Sequence, residues 1–330
     1  MAASTITGKN LLAKNIETWM AAEMPNVLSL MRTGIVEVDT NPNIPAPAMG
    51  NTIIWRGRVM DTAAWESPTA DTAPTTTAIS TYKTIMPVCR RGKLYGNEDL
   101  SSIAVGEDPD DWARDVGKIM AFNSGINMEE TVFTYAIPGV MDGAGVLNAT
   151  HVVDKSGQTF SELFIAEAQK AMGEWTNKLN TLILHPTVYW NAQVNTMLTA
   201  QPNIQDLDTW RDQTITLAGM IGGLRVFLNE RVNYTGATYD CILAGPGAVK
   251  LAYQLKDTVE VFPRSSKAMG TDEILYKLAF GVAVAGCSYT GTAPTALSGA
   301  TDANLATAGN WTKVSSFNAQ SPIVVIKADA

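Results

Sequence analysis

An alternation of large and small residues near the C-terminus constrains the fold of this chain more than any other feature. From Ile274 to Val284, large apolar side chains occupy every second position, and from Lys277 onward small or polar residues lie between them. Successive side chains of a β-strand point to opposite faces, so this pattern predicts one long strand with an apolar face and a small-residue face. The apolar positions are Ile274, Tyr276, Leu278, Phe280, Val282 and Val284.

Short apolar runs that end at turn residues precede this strand. Leu182 to Leu184 ends at His185-Pro186, and proline suits the first position of a helix because the amide it lacks would be unpaired there. We predict a strand followed by a helix at this point. A second run, Leu224 to Leu228, follows the turn residues Gly222-Gly223 and predicts another strand.

A third apolar run ends at a turn rich in glycine. Cys241 to Ala244 stops at Gly245-Pro246-Gly247, and the residues that follow, Ala248 to Leu255, favour a helix. A glycine turn between a strand and a helix is also found in phosphate-binding loops, but Lys250 occupies the place of the third glycine of a dinucleotide-binding motif. We interpret the segment as a tight turn.

Two runs in the first third of the chain predict a hairpin. Thr52 to Met60 and Ile79 to Val88 show period-two patterning, and Asp61 to Ala78 between them is rich in alanine, threonine, aspartate and proline. An isolated two-stranded hairpin is marginally stable in water, so its large side chains need a partner surface. That surface belongs either to a neighbouring molecule or to the hairpin's own domain. The side chains in question are Trp55, Trp65, Tyr82 and Ile85.

The longest predicted helix begins at Asp108-Pro109, where an N-cap aspartate precedes a proline at the first helical position. Asp110 and Asp111 then lie at the positive end of the helix dipole. Gly117 inside the helix indicates close backbone packing, and Ile137-Pro138-Gly139 is the predicted stop. The predicted buried stripe consists of Trp112, Val116, Ile119 and Met120.

Further elements are predicted on both sides of these segments. Thr159 and Glu162 have capping-box spacing and open a helix with Leu163 on its buried face. The small polar residues Thr290 to Gly309 predict a loop, and Ile323 to Ile326 predicts a final strand.

Residues 1 to 50 lack the pattern of a compact domain. A helix is predicted around Leu11 to Met24, with Ile16 and Trp19 among the apolar residues at helical spacing. The proline-rich stretch Asn41 to Pro47 favours an extended segment.

This order of elements resembles the major capsid proteins of tailed bacteriophages with the Hong Kong ninety-seven-type fold, which encapsulins share. The residues that carry the resemblance are Leu184-His185-Pro186, Gly222 to Val226, Leu243-Ala244-Gly245 and Phe280-Gly281. The resemblance implies an α+β fold. Its expected parts are an N-terminal arm (1–50), an extended β-hairpin loop (51–100), a peripheral domain with a long spine helix (101–180), an axial domain (181–270), and a return strand with the C-terminal segment (271–330).

The resemblance also implies a function. The chain would be a self-assembling subunit of an icosahedral phage head that encloses double-stranded DNA without sequence-specific binding. The implied partners are copies of itself in hexamers and pentamers, a portal protein, and either a separate scaffolding or decoration protein or none. The implied location is the virion, after assembly in the host cytoplasm. The alternatives are an encapsulin-like compartment or, from other classes, a soluble enzyme or a surface-layer protein.

The residues expected to contact neighbouring subunits belong to the arm and the hairpin. They are Trp19 on the arm and Trp55, Trp65, Tyr82 and Ile85 on the hairpin.

Composition and charge agree with this interpretation. The chain of 330 residues is 46% hydrophobic and 17% charged, against about 25% charged in typical domains, which suits a large core and a surface covered by neighbours. The net charge of −8 argues against a protein that grips nucleic acid and fits a lining that does not adhere to packaged DNA. The N-terminus lacks a signal-peptide pattern, and no apolar run approaches the ~20 residues that cross a bilayer, so we expect cytoplasmic synthesis and no membrane association.

No catalytic, cofactor or metal site is predicted, and we do not expect an enzyme. The chain has two histidines, His151 and His185, too few for most histidine-based centres. The acids Asp108, Asp110 and Asp111 are explained by helix capping, because the glycine and terminal glutamate of a calcium loop are missing. The three cysteines lie far apart in apolar contexts and are predicted to be buried thiols: Cys89, Cys241 and Cys287.

Overall fold

The computed structural model describes residues 13–24, 30, 33–39, 52–58, 81–98, 109–194, 216–254, 259–264, 271–291, 299–314 and 320–330. The helices are α1 (13–24), α2 (Pro109–Glu130), α3 (Ile137–Met141), α4 (Asn148–His151), α5 (Glu162–Met172), α6 (Pro186–Val194) and α7 (Asp302–Ala306). The strands are β1 (Val36–Asp39), β2 (Thr52–Arg58), β3 (Thr81–Glu98), β4 (Val152–Thr159), β5 (Thr181–Leu184), β6 (Thr216–Ile221), β7 (Leu224–Leu228), β8 (Tyr234–Thr235), β9 (Thr238–Ala244), β10 (Val249–Gln254), β11 (Val259–Arg264), β12 (Thr271–Val284), β13 (Cys287–Tyr289), β14 (Trp311–Lys313) and β15 (Ile323–Asp329).

A seven-stranded sheet contains the short apolar runs of the sequence. Its order is β4-β15-β9-β5-β7-β6, and β8 pairs with β9. These strands are apolar at successive positions because the sheet is buried on both faces. Ile183 and Ile242 pack on one side, and Leu182 and Leu243 pack on the other. The predicted strands at Leu182, Leu224, Cys241 and Ile323 are therefore confirmed.

A six-stranded sheet is built around the alternating strand. Its order is β1-β10-β12-β3-β2, and β11 also pairs with β12. The apolar side chains of β12 face the main core as predicted, and its residues Thr271 to Gly281 pair with β3. The hairpin is confirmed by the pairing of β2 with the first part of β3, whereas its tip, residues 59–80, lies outside the described residues.

One core joins the two sheets through the helices. It includes Phe280 of the six-stranded sheet, Ile242 of the seven-stranded sheet, and Ile16 and Met20 of α1. Close packing of α1 on α2 requires Gly117, because a Cβ atom there would lie 2.9 Å from the Cβ of Trp19. A second core covers the other face of the seven-stranded sheet with α5 and α6.

The long helix does not stop at Ile137-Pro138-Gly139 as predicted. α2 passes into a π-helical segment, Thr131–Ala136, and then into α3, which ends at Met141. Proline lacks an amide donor and its ring crowds the preceding turn of an α-helix. The wider π-helical turn directly before α3 accommodates Pro138, so the chain remains helical.

The helix predicted at Ala248 to Leu255 is wrong. Val249–Gln254 is strand β10, which pairs with β1 on one side and β12 on the other. The residues are buried on both faces, with Val249 and Leu251 in the main core and Ala252 in a small separate cluster. A short apolar run that is buried all round fits a strand or a helix equally well, and the strand partners decide between them.

Three smaller predictions also need correction. The α5 helix is confirmed, but its N-cap is Ser161 without a side-chain cap, while Thr159 ends strand β4. Leu163 is exposed. The loop predicted at Thr290 to Gly309 contains α7, which a capping box between Thr301 and Asn304 opens. Asparagine in place of glutamate or glutamine conceals this box from a sequence pattern.

Candidate functional site

A groove runs between α2 and the six-stranded sheet. Its volume is about 320 Å³. Asn123, Ser124 and Asn127 line it from α2, and Tyr276 lines it from β12. β3 contributes the third wall, because its Arg91, Lys93 and Tyr95 pair in register with Leu278, Tyr276 and Ile274 and share the face that α2 covers.

Hydrogen bonds and cations give this groove a polar lining. Ser124 Oγ and Tyr276 Oη are 2.6 Å apart, and Asn123 Nδ2 donates to Tyr95 Oη at 3.1 Å. The Oδ1 atom of Asn127 is buried and accepts no hydrogen bond from the described part of the chain. Lys93 is exposed, with its Nζ 5.1 Å from the centre of the Tyr95 ring. Within the described residues, the groove therefore presents one exposed cation, Lys93, and one unsatisfied hydrogen-bond acceptor, Asn127 Oδ1.

The opposite face of α2 carries large apolar side chains in water. Ile119 is 56% exposed and Phe122 is 41% exposed. The sequence pattern placed Ile119 in the predicted buried stripe of this helix. That prediction is wrong for the isolated chain. Among the described residues, α1 and the sheet pack against the face of α2 that carries Ala113, Gly117, Met120 and Ser124. An exposed apolar face of this kind is typical of a surface that another molecule covers.

The seven-stranded sheet carries a separate group of exposed aromatic rings. The rings of Tyr234 and Tyr239 stack at 5.5 Å, and His185 lies 4.7 Å from Tyr239. Tyr234 is 58% exposed, and Trp190 on α6 is 57% exposed. His185 accepts a hydrogen bond at Nδ1 from the backbone N–H of Thr187 at the start of α6.

A polar junction connects the end of α3 to the seven-stranded sheet. Lys327 Nζ lies 2.8 Å from Asp142 Oδ1, and Lys327 is directly opposite Asp240 in the strand pair. Asn233 Nδ2 donates to Asp240 Oδ2 at 3.0 Å. Burial, reinforced by the charge of Asp142, raises the pKa of Asp240 to about 6. Nearby, the fully buried Glu129 of α2 lies 3.8 Å from Arg231.

The remaining reactive side chains are buried and serve packing. Burial raises the pKa of both the Cys89 and Cys287 thiols to about 12, and Cys241 is also buried and reduced. Burial, followed by the charge of Lys313, lowers the pKa of His151 to about 4. Among the described residues, no group of three or more histidine, cysteine or acidic side chains could hold a metal ion. In the same part of the chain, no helix is both long and apolar enough to cross a membrane.

Comparison with known proteins identifies the fold. No family model and no curated protein matches the sequence. The structure is similar to the capsid of Ralstonia phage GP4, with a TM-score of 0.55 and 11% identity over 90% of this chain and 87% of the other. It is also similar to the head of Helicobacter pylori bacteriophage KHP40, with a TM-score of 0.53 and 9% identity over 89% and 87% of the two chains.

A third similarity extends beyond viruses. The SrpI encapsulin of Synechococcus elongatus matches with a TM-score of 0.51 and 9% identity over 92% of this chain and 88% of the other. Phage heads and an encapsulin therefore share one backbone arrangement with this chain. The chain has the Hong Kong ninety-seven-type fold. At these identities the similarity concerns the fold, and it confirms the α+β architecture that the sequence predicted.

The contact residues predicted for this fold lie on different elements. Trp19 is on α1 and is 39% exposed. Ile85 on β3 is partly buried, and its N–H donates to Ser288 Oγ at 3.0 Å. Trp55 and Tyr82 lie on the paired strands β2 and β3, and Trp65 lies outside the described residues. Their contacts with another subunit stay a prediction.

Sequence reasoning missed several exposed apolar residues of the helices and strands. These residues are Ile54, Leu94, Ile119, Phe122, Leu163, Trp190, Met220 and Tyr234. An apolar residue in a helix or strand is usually assigned to the core, and its periodicity alone does not show which face a neighbouring element covers. The sequence did contain one indication of an exposed apolar surface, because α2 has large apolar residues on both of its faces.

Proposed function

We propose that this chain is the subunit of a self-assembling icosahedral shell, the head of a tailed phage that encloses double-stranded DNA. The observation that carries the proposal is the similarity of the backbone to shell subunits over about nine tenths of the chain. Exposed apolar side chains on α2, β3 and α6 support it, because assembly would cover them.

The proposed mechanism of assembly is geometric. Each subunit repeats the same contacts with its neighbours, in hexamers and pentamers, until the shell closes. Interfaces of about 800 Å² per partner are individually modest, but several of them per subunit make a stable shell. The arm (1–50) and the hairpin loop (51–100) would overlap neighbours, while the peripheral (101–180) and axial (181–270) domains and the C-terminal segment (271–330) would form the wall.

The proposed partners follow from a phage head. They are further copies of the chain, a portal protein, and a separate scaffolding or decoration protein. Assembly in the host cytoplasm and residence in the virion complete the proposal. The interior would hold DNA without gripping it, which agrees with a net charge of −8.

Electron microscopy of the full chain expressed alone tests the proposal, with light scattering after size-exclusion chromatography to give the mass. We expect closed shells of uniform diameter, either from the chain alone or after co-expression with the genes beside its own. Particles that contain nuclease-protected DNA support a phage head, and particles that contain an enzyme indicate an encapsulin-like compartment. A monomer under both conditions would contradict the shell function.

A further inference from the structure

We propose that a polar pocket between the two sheets binds a small anion of the phosphate class. The pocket has a volume of about 500 Å³. Asn177, Lys178 and Asn180 line it from the segment that leads into β5, and Glu37 and Lys250, which are partners in the β1–β10 pair, line it from the six-stranded sheet. The inference goes beyond the proposed shell function, because it does not require subunits to meet.

The charge of the pocket is opposite to that of the whole chain. Its lining contains two lysines, Lys178 and Lys250, and one acid, Glu37, whereas the chain carries a net charge of −8. Lys178 Nζ lies 5.0 Å from the centre of the Trp175 ring, a contact that leaves its positive charge in place. An anion in the pocket would therefore meet an excess of positive charge.

Lys250 has the most to gain from a bound anion. Its side chain is only 12% exposed, and Glu37 Oε2 lies 3.7 Å from its Nζ, which is longer than a hydrogen bond. Burial lowers the pKa of Lys250, and the charge of Glu37 opposes this shift. A cation that has lost most of its water is stabilised by a close negative charge, and a bound oxyanion would supply one.

Uncharged donors add to the two lysines. Gly247, in the turn before β10, has a φ of +72°, and its N–H makes no hydrogen bond within the described part of the chain. Asn180 Oδ1 accepts a hydrogen bond from Thr181 Oγ1 at 3.0 Å, so its Nδ2 group is the end that can donate to a ligand. Asn177 and Gln320 contribute further amide groups.

The arrangement of these donors favours phosphate over a carboxylate. The donors come from three separate parts of the chain: the segment before β5, the turn before β10, and β10 itself. A tetrahedral oxyanion has acceptor oxygens on all sides, whereas the two oxygens of a carboxylate lie in one plane. Lysine binds phosphate as a point charge, and the volume leaves room for more than one phosphate group.

The pocket is not a phosphate-binding loop of the nucleotide-binding type. In such a loop, a helix follows the glycine turn and its N-terminus meets the phosphate. Here strand β10 follows Gly245-Pro246-Gly247. The proposed site instead depends on lysine side chains that the two sheets bring together.

Equilibrium dialysis of the full chain with inorganic pyrophosphate tests this inference, with phosphorus NMR spectroscopy as a second measurement of binding. We expect saturable binding of one pyrophosphate per chain. Lys178→Gln and Lys250→Gln should each raise Kd roughly fivefold, because each removes one positive charge from the pocket. Lys277→Gln is the matched control and should leave Kd unchanged, since Lys277 lies outside the pocket and pairs with Glu260.

Glu37→Gln gives a prediction of opposite sign. It removes negative charge from the lining, so it should lower Kd roughly fivefold. A folding defect cannot tighten binding, so this variant keeps the test valid even if Lys250→Gln is unstable. Unchanged or weaker binding in Glu37→Gln would overturn the inference. Equal losses in Lys178→Gln and Lys277→Gln, or no saturable binding at millimolar pyrophosphate, would overturn it as well.

A short DNA duplex distinguishes a free anion from packaged DNA as the source of the phosphate. We expect the duplex to bind weakly and to respond equally to the pocket and control variants. A duplex whose affinity falls in Lys178→Gln and Lys250→Gln and rises in Glu37→Gln would make DNA the source and overturn the assignment to a small anion. Failure of the pyrophosphate test would leave the shell function standing, because microscopy tests that function separately.

Discussion

The buried side chains of Asp240 and His151 respond to pH in opposite directions. Asp240 faces Asp142 and Lys327, and it accepts a hydrogen bond from Asn233; its pKa of about 6 lies above the ordinary value of 3.8. The folded protein therefore binds a proton that the unfolded chain releases, so this group adds stability below pH 3.8 and loses that contribution as the pH rises through 6. Asp154 and Lys327 lie on adjacent strands of the same junction.

His151 has the reverse behaviour. Its Nδ1 lies 2.6 Å from Thr150 Oγ1, the charge of Lys313 disfavours the imidazolium, and its pKa is about 4. The stability that it contributes is complete above 6.5 and is lost as the pH falls through 4. The pH-dependent contributions of Asp240 and His151 to stability therefore partly cancel between about pH 4 and about pH 6.5.

Substitution separates the two contributions. When the pH falls from about 7 to about 4.5, proton uptake by Asp240 should raise the unfolding free energy of the original protein by roughly 2 kcal/mol. Asp240→Asn cannot take up this proton, so it should lose that gain relative to the original protein. His151→Gln should gain a similar amount over the same interval. Urea denaturation of the unassembled subunit at each pH measures both. A pH-independent difference in either variant would show that the group does not titrate as the structure indicates.

Replacement of Gly139 by alanine should destabilise the protein, whereas the same change at an ordinary helical glycine would stabilise it. On helix propensity alone, Gly139→Ala would stabilise by about 1 kcal/mol. A Cβ atom there would lie 2.0 Å from the backbone oxygen of Leu305, which accepts the Trp311 Nε1–H bond at 2.8 Å. We expect a net destabilisation of roughly 2 kcal/mol from overpacking. In Gly309→Ala, the control, the methyl group meets nothing within 4 Å. Equal urea midpoints for the two variants would contradict this packing.

At the scale of the element, α2 has two faces with different tasks. One face packs on α1 and the six-stranded sheet and holds the fold together. The other carries Ile119 and Phe122, which are 56% and 41% exposed in the single subunit and would be fully buried in the proposed assembly. The same helix continues through the π-helical segment and α3 to Asp142, so it also connects the groove to the polar junction.

The double variant Ile119→Ser, Phe122→Ser tests this division. We expect the unfolding free energy of the unassembled subunit to fall by only about 2 kcal/mol, because roughly half of each side chain is already exposed to water. We expect the yield of shells to fall severely, because the contact surface loses its apolar groups. Lys118→Ser, an exposed change on the same face, is the control. Normal shells from the double variant would show that this face stays in solvent.

At the scale of the whole molecule, one core couples the two sheets. Ile183, Phe227 and Ile242 of the seven-stranded sheet belong to the same cluster as Tyr276 and Phe280 of the six-stranded sheet. The axial domain (181–270) and the C-terminal segment (271–330) proposed for the chain therefore share buried apolar surface, and unfolding of one would expose the apolar surface of the other.

Calorimetry of the unassembled double variant tests this coupling. We expect one thermal transition whose calorimetric enthalpy equals its van't Hoff enthalpy. Two separate transitions, or a van't Hoff enthalpy well below the calorimetric value, would show that the sheets melt independently. Ile242→Ala should then lower the midpoint of the single transition, since deletion of a buried isoleucine side chain costs about 2–5 kcal/mol.

The sequence by itself determined the elements whose pattern is local and unambiguous. The alternation in β12 and the His185-Pro186 boundary were read correctly because strand periodicity and helix-start chemistry depend on neighbouring residues. The order of these elements was also enough to indicate the fold, which the solved shell structures share.

Only the tertiary structure decided the features that depend on distant residues. Val249–Gln254 is a strand because β1 and β12 supply its backbone partners, and Pro138 stays within a helix because a π-helical turn precedes it. Ile119 is exposed because α1 and the sheet cover the other face of α2. The groove exists because β12, which is far away in the sequence, pairs with β3 beside α2. A local sequence pattern shows which side chains are apolar, but it does not show which distant element buries them.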